Sequence, residues 1–159
     1  MQLDLSSNQL CGISHYGDGS YTAEGIKAIA DALGVNASLT SLSVAGNGIV
    51  GDGAQQLAST VLAKPTLEHF SGIPLKELRA DSLTTLDLSY KGLGVPEAIV
   101  LADLLRSVST SLTRCNILKN KMDVASAKLL VDAVKDKDCS LAGITPDQTT
   151  ADFNSDGPR

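Results

Sequence analysis

A chain of 159 residues with 43% hydrophobic but only 3% aromatic residues, and no Trp, fits one domain whose core is Leu, Ile, Val and Ala. A formal net charge of −5 excludes binding to nucleic acid or anionic lipid through bulk electrostatics. Three cysteines without paired spacing predict a reduced, cytoplasmic or other intracellular setting rather than a disulfide framework, and no signal peptide, membrane-spanning run or lipidation pattern is read.

In chain order, Leu3-Asp4-Leu5 predicts a first strand and Asn8 the turn after it. Residues 11 to 22, rich in Gly with Asp18 and two tyrosines, predict an inserted loop. His15 and Asp18 lie in it without a third or fourth partner, so no metal site is expected. Residues 23 to 34 predict a helix, with Thr22 as N-cap and Gly34 as its stop. Asn36-Ala37-Ser38 is a glycosylation sequon, idle in the cytosol. Leu39 to Ile49 then reads L-x-x-L-x-V-x-x-N-x-I, with a helical run from Gly53 to Leu62.

This frame recurs. Its opening leucines are Leu39, Leu67, Leu83, Leu112 and Leu141, spaced by 28, 16, 29 and 29 residues. Matching Leu3 to Leu42 gives 39 residues, the 28-residue step with an 11-residue insertion. The helical halves keep their offsets: Ile26, Ile29, Ala30 and Leu33 match Ala54, Leu57, Ala58 and Val61. They match again Ala98, Leu101, Ala102 and Leu105, and Ala127, Leu130, Val131 and Val134. Each set is one stripe of a 3.6-residue helix. Within the strands Leu42 and Val44 are expected to point inward and Ser41, Ser43 and Ala45 outward. Cys115 stands at an inward position as a small buried hydrophobe.

The third unit, Leu67 to Ser82, is too short for a full strand and helix, so a strand and about one helical turn at Leu75 to Arg79 are expected. The sixth, from Leu141, has no helical run behind it, so a stack end there, around Leu141 to Thr145, is the expected docking edge. An Asn at the turn can satisfy backbone groups that face the interior. Asn8 and Asn47 can be neighbours in such a ladder, with Asn120 apart. Leu75, Lys91 and Thr149 at the Asn position predict rearranged turns.

The frame, with G-A-x-x-L-A at Gly53 to Ala58, resembles the ribonuclease-inhibitor-like leucine-rich repeats. Residues 70 to 105 resemble more closely the repeat proteins abundant in unicellular algae and other protists, as do SSNQLCGI near the start and LAGITPDQTTADF near the end. The resemblance implies an α/β fold, a right-handed leucine-rich-repeat solenoid curved so that a parallel sheet lines its concave face and helices its convex face. It implies one array over residues 1–159 of about six strand units, and a protein-binding role.

Chemistry finds little support. Gly46 to Gly51 reads G-x-G-x-x-G between a strand and a helix, with Glu68 downstream. The equivalent stretches at 89 to 94 and 118 to 123 lack the pattern, so turn glycines are expected rather than a nucleotide site. Asp4 and Asp87 would lie three strands apart, roughly 14 Å, too far for a catalytic carboxylate pair. A GTPase-activator role, which one family with this repeat has, would need an arginine in an early loop, and residues 11 to 22 hold none. No catalytic residue, cofactor or metal is expected. The outward strand positions are mostly small and polar; His69, Ser71, Asp87, Tyr90, Arg114 and Asn116, with Phe70 beside them, are the expected protein-binding residues. The expected function is a non-catalytic interaction or structural subunit whose protein partner covers a stack end or the concave face. The alternative is a regulator of an enzyme, ribonuclease-inhibitor-like or GTPase-activator-like, and last a nucleotide-binding protein through Gly46 to Gly51.

Overall fold

The computed structural model describes residues 1–13, 18–108 and 111–142. Among them the chain forms β1 (Gln2–Asp4), α1 (Glu24–Val35), β2 (Ser41–Ser43), α2 (Gly51–Leu62), β3 (His69–Phe70), β4 (Ile73–Pro74) and α3 (Leu75–Arg79). It continues with β5 (Thr85–Asp87), α4 (Val95–Ser107), β6 (Arg114–Asn116) and α5 (Val124–Val134). β1, β2 and β3 pair in parallel with Leu3 opposite Leu42 and Leu42 opposite Phe70. β5 and β6 pair in parallel with Leu86 opposite Cys115.

The expected leucine-rich-repeat solenoid with one continuous parallel sheet is corrected here. The described residues form an α/β fold with five helices, a mixed four-stranded sheet in the order β1-β2-β3-β4, and a separate two-stranded parallel sheet, β5-β6. The physical cause is a hairpin. Ser71 and Gly72 have φ of 48° and 84°, the pair of positive values that a tight two-residue hairpin turn needs. β4 therefore folds back antiparallel on β3, pairing Phe70 with Ile73, and occupies the edge that the next parallel strand would need. Asp4 and Asp87 consequently stand on different sheets.

Short α3 has a second effect. It is too small to fill a helix layer, so α4 packs directly on α2 as well as on α5 and α3. Covered on both flanks, α4 buries Pro96, Glu97, Ala98, Val100, Leu101, Ala102, Leu104 and Leu105. The core runs continuously from Ile26 and Leu33 of α1 through Leu57 and Val61 of α2 to Leu101 and Leu130. Ala30, Ala58 and Ala102 are buried, where their small side chains let each helix approach its neighbours. α5 departs from the expected stripe: Val131 and Ala127 face solvent, and Leu130, Ala133 and Val134 carry its buried face.

Local signals also shift. α1 runs one residue past Gly34, and Asn36 ends it, its Oδ1 accepting from Ser38 N and Leu39 N at 2.9 and 2.8 Å. Thr22 lies one residue before the N-cap position, held by Ala23, yet its Oγ1 still accepts from Glu24 N at 3.3 Å. Tyr21 ties the inserted loop to the second unit: its hydroxyl donates to Val50 O at 2.6 Å and accepts from Val50 N at 3.2 Å. His15, with the rest of 14–17, and Ile144, Thr145 and Thr149 lie outside the described residues. At the start of the sixth unit Ala142 bridges to Asn116, and Ser140, just before it, to Arg114.

Candidate functional site

The turns after β1 and β5 share one geometry. In the first unit Asp4 Oδ1 accepts from Ser6 N and Ser6 Oγ at 2.9 and 2.6 Å; in the fourth, Asp87 Oδ1 accepts from Ser89 N and Ser89 Oγ at 2.9 and 2.7 Å. The serine hydrogen bonds hold both carboxyls below the usual carboxylate value. The next turn residue adopts a left-handed conformation, with φ of 55° at Ser7, 74° at Gly46, 56° at Tyr90 and 59° at Lys119. Gly46 is a glycine for a further reason: a Cβ there would come within 2.9 Å of Ser7 Oγ.

Two asparagines close these turns from the unit that follows. Asn47, buried, accepts at Oδ1 from Asn8 N and Leu10 N at 2.8 and 3.2 Å, and donates to Leu5 O and Val44 O, each at 2.8 Å. Asn120 accepts from Lys91 N and Leu93 N, both at 3.1 Å, and donates to Leu88 O and Ile117 O. The turn at Lys91 is thus not rearranged as expected, because its amide partner is supplied by Asn120. The turn at Leu75 is rearranged, by the hairpin.

The hairpin brings in a residue that apolar periodicity passes over. Glu97 is buried. Its Oε1 accepts from Ser71 Oγ at 2.8 Å and its Oε2 from Gly94 N at 2.9 Å, capping α4 from within. Ser71 Oγ in turn accepts from Val44 N at 3.1 Å, where the strand ladder breaks off. Burial pushes the Glu97 carboxyl above its ordinary value, against the pull of its hydrogen-bond donors. A group raised in the folded state contributes stability that is full below its unfolded value, about 4.3, and lost as pH rises through the folded value. Glu97→Gln, neutral throughout, should therefore gain on the wild type between about pH 3.5 and 7. Urea melts at both ends check this, and a difference independent of pH would contradict it.

The expected binding residues are only partly brought together. His69 is exposed on β3 of the four-stranded sheet. Ser71 is corrected: it is 5% exposed and serves the Val44–Glu97 link. Phe70 is fully buried beneath the same hairpin and offers no surface. Asp87 and Asn116 stand opposite each other across β5-β6, with Thr85 opposite Arg114. Asn116 Oδ1 accepts from Leu118 N at 3.1 Å. Arg114 Nε is enclosed with no hydrogen-bond partner among the described residues. Tyr90, just past β5, is 56% exposed. Asp87, Tyr90, Arg114 and Asn116 thus belong to one end of the fold, and His69 to the other sheet.

Comparison with known proteins finds no family model that matches this chain and no match among curated proteins. Among the described residues no group of His, Cys, Asp and Glu is placed to hold a metal ion, and no helix is long and apolar enough to cross a membrane.

Proposed function

We propose that the chain is a non-catalytic protein-interaction or structural subunit whose binding face is the β5-β6 pair, with Asp87, Tyr90, Arg114 and Asn116 as its contacts. Tyr90 carries the reading. Its turn position demands a left-handed backbone, which Gly46, Ser7 and Lys119 fill with small or polar residues. A bulky aromatic at positive φ costs of order 1–3 kcal/mol, and the residue nevertheless stays 56% exposed. An exposed, strained tyrosine near an arginine is the composition of an interface hot spot. Enzyme regulation fits the same face only as a choice of partner. Buried thiols support a reducing intracellular setting: Cys11 and Cys115 are free and fully buried, and burial pushes the Cys115 thiol up to about 12.

The test is affinity capture from the source cell with the intact chain, followed by titration of the captured protein. Tyr90→Ala and Arg114→Ala should each weaken binding by about 2 kcal/mol, roughly thirtyfold. Val124→Ser, on the exposed start of α5, should leave it unchanged. Unaltered affinity in both face variants would sink the proposal.

A further inference from the structure

Among the described residues the asparagine rungs leave the second unit's position unfilled. In the first unit the N–H groups of Asn8 and Leu10 converge on one amide oxygen, and in the fourth those of Lys91 and Leu93 do the same. The second unit's matching donors are Asn47 N and Ile49 N, fixed by the pairing of Leu3 with Leu42. Among the described residues no side chain accepts from either. The next unit turned back at Ser71-Gly72 and brought no asparagine. Its place is taken by Gly92, whose carbonyl accepts from Gly46 N at 3.1 Å, and by the start of α4. A cavity of about 120 Å³ remains there, lined by Val44, Asn47, Ile49, Gly94, Pro96 and Lys121. A wider depression of about 460 Å³ shares Gly46, Asn47, Gly48 and Lys121 with it, so the vacant place adjoins the surface.

We propose that this cavity is a receptor for a primary carboxamide, presented from outside as an asparagine or glutamine side chain or as a free small amide. Both filled rungs show the chemistry required: one oxygen accepts from two turn N–H groups while the amide nitrogen donates to carbonyls. In the second unit Val44 O accepts from Asn47 Nδ2 and keeps a second lone pair for an incoming amide N–H. A carboxylate would supply the oxygen but could donate nothing to Val44 O, and it would face the Glu97 carboxyl lining the same cavity. This inference is independent of the reading of the β5-β6 face.

The experiment is a titration of the intact 159-residue chain, labelled with nitrogen-15, followed by amide shifts. The probes are acetamide and acetate, then a capped tripeptide N-methylamide with asparagine, aspartate or alanine in the middle. Acetamide and the asparagine peptide should give saturable shifts at Ile49 N–H and Asn47 N–H. The other probes should bind at least tenfold more weakly, and Lys121→Ala should leave carboxamide affinity within twofold. A peptide shift without an acetamide shift would assign the site to side chains of proteins; shifts with both would admit small amides as well. No saturable shift with either amide would mean that water alone fills the cavity. Equal binding of acetate and acetamide, lost together in Lys121→Ala, would make it an anion site. Either of these last two results overturns the proposal.

Discussion

Phe70→Ala is expected to lower the unfolding free energy by about 3–5 kcal/mol, the largest effect of any single truncation in this chain. The ring is fully buried and stands where three strands meet, opposite Leu42 on β2 and Ile73 on β4. Removing it leaves a void at the root of a hairpin that has only two residues per strand. Against a typical total of about 5–15 kcal/mol, such a loss takes a large share of the fold's stability. Urea melts measure it directly. A loss below about 1 kcal/mol would show that the hairpin does not rest on Phe70.

Asn47→Ala should cost about 2–4 kcal/mol, because Asn8 N and Leu10 N both lose their acceptor at about 1–3 kcal/mol each. Water reaches Asn8 more readily than the interior, which keeps the sum below its ceiling. Asn8→Ala is the matched control. Its side chain is exposed and donates only to Ser6 O, so its removal should cost less than about 0.5 kcal/mol. Hydrogen exchange adds a local readout: Leu10 N–H should lose protection in the Asn47 variant and keep it in the Asn8 variant. Equal melts for the two variants would mean that the rung does not hold the first turn.

Periodicity located the helices to within one or two residues and set Leu42, Val44 and Cys115 inward, because apolar spacing reports burial directly. It missed the hairpin because a strand frame aligned from one unit to the next assumes that every strand runs the same way. The contrary signal was local: Ser71-Gly72 between Phe70 and Ile73 is a two-residue turn between apolar residues. The Lys91 turn was misjudged for another reason. The amide that satisfies each turn belongs to the following unit, so an absent Asn disturbs the turn before it rather than its own. Of the candidate site, Tyr90, Asp87, Arg114 and Asn116 were legible as strand-end polar and aromatic residues. Ser71 was placed on the wrong side because its left-handed φ ends the alternation. Glu97 reads as polar in composition, and only its hydrogen-bonded place under Ser71 shows why it is buried.

The β3-β4 hairpin also bears on the order in which the chain assembles. Its partners Phe70 and Ile73 are three residues apart, whereas the parallel pairs join residues separated by 28 or 29 positions, and by 39 for Leu3 and Leu42. Closing a loop costs about (3/2)RT times the logarithm of its length, so the longest pairing carries roughly 2 kcal/mol more entropy than the hairpin. A two-strand hairpin forms within about 1–10 μs, far sooner than contacts between distant segments. The shortest unit thus carries the pairing that costs least to close, and docking of β2 beside Phe70 is what completes it.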